Sequence, residues 1–324
     1  MDKKKRLLSL SIDLDNLWSY LKIKGDPKWK SFPSYLEVFI PYFLNLLDEK
    51  KLSITFFIVG QDAAFSKNRD FMKEIVRRGH EVANHTFSHE PWLHLYKEEE
   101  LHKEIISAEE AIFNATGQLT RGFRGPGFTW STALFELLVQ RGYIYDSSTL
   151  PTYIGPLARI YYFWVAQLDK KEQEDRKKLF GSFWDGWRSV DPYLWRLPTK
   201  KELLEIPVTT IPVIKTPFHL SYLMYLSSLS PALAKAYLSL AYKTCNQMGT
   251  APNFLLHPPD FMDMAQIPDM FFFPGVKFPQ EKKKEMFFHV IDTFSQTYQL
   301  CNMSSRAIED LEDHRTLKKE ILKP

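Results

Sequence analysis

Strand-like apolar runs alternate with helical patterns along most of this chain, and four of those runs end in polar, chemistry-bearing clusters. The alternation restricts what the chain can fold into. Runs at 7–14, 53–59, 80–85, 121–124 and 143–146 read as strands; 53–59 (SITFFIV) is β-branched and aromatic and stops at Gly60. Three- and four-residue apolar spacing predicts a helix over 34–47, through Leu36, Phe39, Ile40, Phe43, Leu44 and Leu47. Further helices are expected over 68–78, with Asn68 as N-cap and Gly79 as C-cap, and over 97–114 and 132–141. Units at 203–210, 231–247, 253–257 and 280–298 continue the rhythm. Repeated βα units point to a parallel sheet or barrel.

One stretch, from about 150 to 200, breaks the pattern and reads as an insertion. It carries Tyr153, Tyr161, Tyr162, Phe163, Trp164, Phe180, Phe183, Trp184, Trp187, Tyr193 and Trp195. Interleaved with them are Arg159, Lys170, Lys171, Arg176, Lys177, Lys178, Arg188 and Arg196. Such a surface suits a membrane interface. An aromatic cap buried against the barrel is the other reading, and both stand at this point.

Composition sets outer limits. The chain has 324 residues, 44% apolar and 25% charged, enough for one large α/β domain or two smaller ones. A net charge of +3 gives no case for nucleic acid. Cys245 and Cys301 are too few for a disulfide framework and read as reduced core thiols. The basic start, Met1 to Arg6, is followed by an apolar run only to Ile12, too short for a secretion signal. A cytoplasmic address, or one on the inner face of a membrane, is therefore expected, and no uninterrupted apolar stretch has transmembrane length.

The polar clusters are Asp13-Leu14-Asp15, His85-Thr86-Phe87-Ser88-His89, Arg124-Gly125-Pro126-Gly127 and Leu255-Leu256-His257-Pro258. Strand alternation sends Asp13 and Asp15 to one face and Leu14 to the other. A solvated turn would look the same. His85 and His89 are four apart, which on a helical turn brings both imidazoles to one metal. Two unrelated histidines near a helix start are the alternative. Arg124 at a strand end can pair with a carboxylate, and the flanking glycines allow close backbone approach, so that an amide N–H could meet an oxyanion. Alone, it could equally be a surface arginine in a turn. His257, ending an apolar strand, is either a core histidine or a proton donor working near neutrality.

Taken in order, Asp-x-Asp, His-x-x-x-His, Arg-x-Pro and Leu-x-His resemble the polysaccharide deacetylase superfamily, the NodB homology domains of carbohydrate esterase type. Residues 55–60, 79–89 and 142–148 look like further parts of that pattern. The resemblance implies a distorted (β/α)7-type barrel, one domain over 1–324 with the aromatic and basic insertion inside it. It implies a metal-dependent amidase acting on non-peptide C–N bonds, with Zn²⁺ or another divalent metal held by Asp15, His85 and His89. Asp13 would be the general base, Arg124 its orienting partner and His257 the general acid. Leu255 would line the acyl pocket, and the Gly127 N–H would face the oxyanion.

The sequence departs from the common pattern in three places. The aspartates are separated by Leu14 rather than adjacent. Gly127 follows Pro126 where a tyrosine is common. The family's Asp and Trp loop has only Trp184-Asp185-Gly186-Trp187 as a candidate. The substrate expected is an N-acyl (acetyl or formyl) amino sugar, glycan- or lipid-linked, with the membrane surface as a second partner. A cytosolic hydrolase of small amides, of N-acetyl-polyamine or ureide type, is the first alternative. A non-catalytic sugar-binding module is the second.

Overall fold

The computed structural model describes residues 5–155, 183–273, 275–312 and 317–322. Its strands are β1 (Arg6–Asp13), β2 (Thr55–Ile58), β3 (Glu81–Asn84), β4 (Gly122–Phe123), β5 (Tyr145–Asp146), β6 (Tyr193–Arg196), β7 (Glu202–Glu205), β8 (Asn253–Leu256), β9 (Tyr298–Cys301) and β10 (Lys318–Ile321). They form one sheet in the order β10-β6-β7-β5-β4-β3-β2-β1-β8, with β9 also on β1. The pairings are parallel, except that β6 runs antiparallel to β7.

The strand ladder is open between β7 and β8, but hydrogen bonds bridge the gap. Thr209 N–H donates to Asn253 O at 3.1 Å, and Asn253 N–H donates to Thr209 Oγ1 at 2.7 Å. With that step, β1 to β5, β7 and β8 close into a seven-stranded ring, the distorted barrel expected from the resemblance.

Alternation along β1 sorts its residues. Leu8, Leu10, Ile12 and Leu14 join the main hydrophobic cluster, while Ser9, Ser11 and Asp13 are buried on the other face. That inner face is polar. Ser9 Oγ donates to Asn253 Oδ1 at 3.2 Å, Asn253 Nδ2 to Ser147 Oγ at 3.1 Å, and Arg124 Nη2 to Ser147 Oγ at 2.9 Å. A hydrogen-bonded column thus runs inside the barrel toward the ends of its strands.

The helices are α1 (Leu17–Lys24), α2 (Leu36–Glu49), α3 (Gly60–Ala64), α4 (Arg69–Arg77), α5 (Glu98–Thr116), α6 (Thr132–Gln140), α7 (Leu220–Leu229), α8 (Pro231–Met248), α9 (Gln280–Ser295) and α10 (Met303–Glu312). The α2 residues picked out by spacing are all buried. Gly60 opens α3 against α5; a β-carbon there would lie 2.7 Å from Ala108 Cα. Both cysteines are free and buried. No described helix is long and apolar enough to cross a membrane.

Three expectations need correction. Asn68 makes no side-chain cap; its Nδ2 donates to Asp62 O instead. The unit expected over 203–210 is a strand only to Glu205, and Thr210 forms an isolated bridge with Pro217. The far end of the insertion is part of the sheet, because β6 buries Tyr193 and Trp195. Asp185, in the candidate Asp and Trp loop, pairs with Arg188 at 2.9 Å, and Arg188 stacks on Trp130 and Trp195 and reaches Glu320 at 2.8 Å. These contacts tie that loop to the sheet. The aromatic and basic residues named between 156 and 182 lie outside the described residues. Phe183, Trp184 and Trp187, just beyond them, are 52%, 75% and 70% exposed.

Candidate metal centre and active site

Parallel strands deliver the polar clusters to one end of the barrel. Asp13 ends β1, His85 follows β3, Arg124 follows β4 and His257 follows β8. Past β1, Asn16 fixes the chain. Its Oδ1 accepts from Leu17 N at 2.8 Å and Tyr35 N at 3.2 Å, and its Nδ2 donates to Asp62 Oδ1 at 2.7 Å. Trp18 Nε1 also donates to Asp62, and Tyr35 OH donates to Asp15 O at 2.5 Å. Burial pushes the Asp62 carboxyl up to about 7, against the pull of Asn16 and Trp18.

The two histidines converge through a loop, not the helical turn that the spacing suggested. Thr86 and His89 take left-handed backbone, φ 65° and 52°. Such backbone is costly for non-glycine residues and persists only where contacts enforce it. Here Asn84 Oδ1 accepts from Thr86 N at 2.8 Å, and Thr86 Oγ1 accepts from His89 N at 3.1 Å. Gly60 N donates to Thr86 O and Gln61 N to Phe87 O. Glu104, buried on α5, accepts from both Ser88 N and Ser88 Oγ, and Lys22 Nζ donates to Ser88 O at 3.0 Å.

His85 Nε2 and His89 Nε2 lie 3.3 and 2.9 Å from Asp15 Oδ1, and the three ligand atoms fall within 4.8 Å of one another. All three residues are buried. His85 Nδ1 is 2.7 Å from Arg124 O, so it carries the proton and leaves Nε2 as a lone pair facing the cluster. Asp15 Oδ1 is buried without a hydrogen bond among the described residues, although two imidazole nitrogens crowd it. Burial raises the Asp15 carboxyl, but His89 and His85 outweigh it and hold it well below the usual carboxylate range. A buried, unsatisfied carboxylate oxygen facing two imidazole nitrogens, one of them on a ring oriented by Arg124 O, fits a divalent cation such as Zn²⁺.

Asp13 stands beside this cluster. Arg124, fully buried, reaches Asp13 Oδ1 with Nη1 at 2.5 Å. The other guanidinium nitrogens bond Ser147 O at 3.1 Å, Ser11 Oγ at 3.0 Å and Ser147 Oγ at 2.9 Å, and the group lies over the Phe57 ring at 4.1 Å. The second Asp13 oxygen lies 3.9 Å from His257 Nε2. His257 is half-buried and its Nδ1 meets Ser221 Oγ at 3.1 Å. Gly125 is required by close approach, since a β-carbon there would lie 2.1 Å from Thr129 O. Gly127 and Phe128 both take left-handed backbone, φ 63° and 59°. Leu255 is fully buried on β8, on the face shared by Asn253 and His257.

The structure therefore gathers Asp13, Asp15, His85, His89, Arg124 and His257 at one end of the barrel, with Gly127 and Leu255 on the same strand ends. Sequence reading missed their supports: Asn16, Asp62, Lys22, Glu104, Ser221 and Asp260. Of these only Asn16, directly after Asp15, and Asp260, three residues after His257, sat near enough to a motif to draw notice.

Residues 29–145 match the family described as polysaccharide deacetylase. That span holds His85, His89, Arg124 and Gly127; Asp13, Asp15, Leu255 and His257 lie outside it. The chain is 31% identical over 181 residues to a Helicobacter pylori peptidoglycan deacetylase, covering 53% of each. It is 36% identical over 103 residues to a Bradyrhizobium chitooligosaccharide deacetylase, covering 32% of this chain and 46% of the relative. It spans about half the length of these curated relatives. A solved Mycobacterium smegmatis protein, described as a candidate polysaccharide deacetylase, has the same fold: TM-score 0.62 at 18% identity, over 100% of this chain and 96% of that one. Over residues 29–145 the chain is similar to the polysaccharide deacetylases.

Proposed function

We propose that this chain hydrolyses the N-acetyl group of an amino sugar within a glycan, with a divalent cation, Zn²⁺ in first place, held by Asp15, His85 and His89. The carrying observation is the buried Asp15–His85–His89 cluster beside an Asp13 carboxylate gripped by Arg124. The related peptidoglycan and chitooligosaccharide deacetylases support the substrate class.

When bound, the cation would polarise the acyl carbonyl and lower the pKa of a water molecule. The chain's own residues do the rest. Asp13, one oxygen fixed by Arg124, takes the proton of the attacking water on its other oxygen. His257 Nε2, on the far side of Asp13, gives a proton to the departing amine. The Gly127 N–H, in left-handed backbone, is assigned to the oxyanion, and the buried Leu255 to the wall of the acyl pocket. The exposed Phe183, Trp184 and Trp187 support a sugar carried on a lipid or on a growing glycan at a membrane surface.

A screen of N-acetyl and N-formyl amino sugars, free, polymeric and lipid-linked, tests this reading. Acetate should be released from the glycan or lipid-linked substrates. Hydrolysis of small N-acetyl amides alone would move the substrate away from sugars.

A further inference from the structure

We propose that Ser221 and Asp260 form a positioning relay that keeps a proton on His257 Nδ1 and so presents Nε2 to the reacting centre. The inference rests on reading His257 as proton donor to the leaving amine. Ser221 comes from α7, remote in sequence from every motif described above. Its hydroxyl oxygen lies 3.1 Å from His257 Nδ1. Asp260 ends the short turn Pro258–Asp260; its Oδ2 accepts His257 N–H at 2.9 Å but lies 4.0 Å from Nδ1, too far for a direct bond. Asp260 Oδ1 is buried with no hydrogen-bond partner among the described residues, an open acceptor on the side of the Ser221 hydroxyl, which favours the charged form of this carboxyl against its burial.

A hydroxyl has one proton to give. An ionised carboxylate only accepts, so that proton turns toward Asp260. Ser221 Oγ is then an acceptor toward the imidazole, and His257 must donate from Nδ1. The turn itself is held in place. Lys283, fully buried on α9, donates to Pro259 O at 2.7 Å and Met262 O at 2.5 Å. His219 packs edge-on against His257 at 5.7 Å, and burial holds it well below the usual imidazole range, so it adds no competing charge.

The proton count closes. As the C–O bond forms, a water proton passes to Asp13. As the C–N bond breaks, the Nε2 proton of doubly protonated His257 passes to the amine nitrogen. The Nδ1 proton stays on His257, hydrogen-bonded to Ser221 Oγ, leaving neutral imidazole in the tautomer the relay selects.

Nitrogen-15 NMR of the histidines in zinc-loaded protein, with Ser221→Ala and Ser221→Thr, tests the relay. Neutral His257 should carry its proton on Nδ1 in wild type and in Ser221→Thr, and should shift toward Nε2–H in Ser221→Ala. On the deacetylation assay, Ser221→Ala should lose about tenfold or more in kcat, with KM and zinc affinity unchanged, and Ser221→Thr should recover it. Wild-type His257 protonated on Nε2, or a tautomer indifferent to Ser221→Ala, overturns the relay. The NMR reading needs no substrate, so a chain that releases no acetate would count against the proposed reaction alone. If Ser221→Ala does not fold, the wild-type tautomer decides.

Discussion

Arg124 shows how much one side chain carries here. It is fully buried, spans from Asp13 to Ser11 and Ser147, and its own carbonyl sets the His85 tautomer. Arg124→Met would leave Asp13 buried without its cation, and should cost about 3–5 kcal/mol in urea unfolding as well as activity. His80, 2% exposed, makes a different statement, because burial lowers its imidazole to about 4. Between that value and the ordinary 6.5 the unfolded chain binds the extra proton, so stability falls as pH drops through this window. Wild type should lose on the order of 1–2 kcal/mol between pH 7 and pH 5 relative to His80→Gln, measured as urea midpoints. Asp62, raised by burial to about 7, works in the opposite direction, and the wild-type-minus-variant difference removes it. At this scale the sequence was legible where one strand set the geometry. Asp13-Leu14-Asp15 obeys simple alternation, with Leu14 in the core. Ser221 was not legible, because its bond to His257 crosses 36 positions of chain.

The loop from His85 to His89 is the element on which the proposed metal site turns. Four-residue spacing foretold that the two imidazoles would meet, but not how. A helical turn would need no outside help. This loop holds two left-handed residues and depends on Glu104 of α5 and Lys22 of α1 to keep Ser88 in place. Glu104→Ala should weaken zinc binding about 10–100-fold in competition with a chelator, while helix content stays the same. Unchanged affinity would mean that the loop holds its own shape. Elsewhere, β10 escaped notice because its sequence, KKEI, sits largely exposed on the sheet edge and carries no apolar pattern. β6 was absorbed into the insertion because its aromatic residues matched their neighbours in composition.

For the molecule as a whole, the βα rhythm made a parallel barrel readable, since period and order fix which strand ends share a face. Ring closure was not readable. It depends on Asn253 and Thr209 exchanging hydrogen bonds where regular strand pairing stops. A 630 Å³ cavity, lined in part by His80, Glu81 and Asn302, lies where β3 begins, away from the metal cluster. The proposed chemistry therefore rests on convergent side chains at the other end of the barrel and not on the volume of a cavity. The most direct test is acetate release from N-acetylglucosamine oligomers and peptidoglycan fragments by zinc-loaded wild type and Asp13→Asn, with metal content measured on the same samples. Wild type should release acetate, and Asp13→Asn should keep its zinc while losing about 10²–10⁴-fold in rate. A variant that keeps both zinc and wild-type rate would contradict the role given to Asp13, and a zinc-loaded wild type that releases no acetate would contradict the reaction itself.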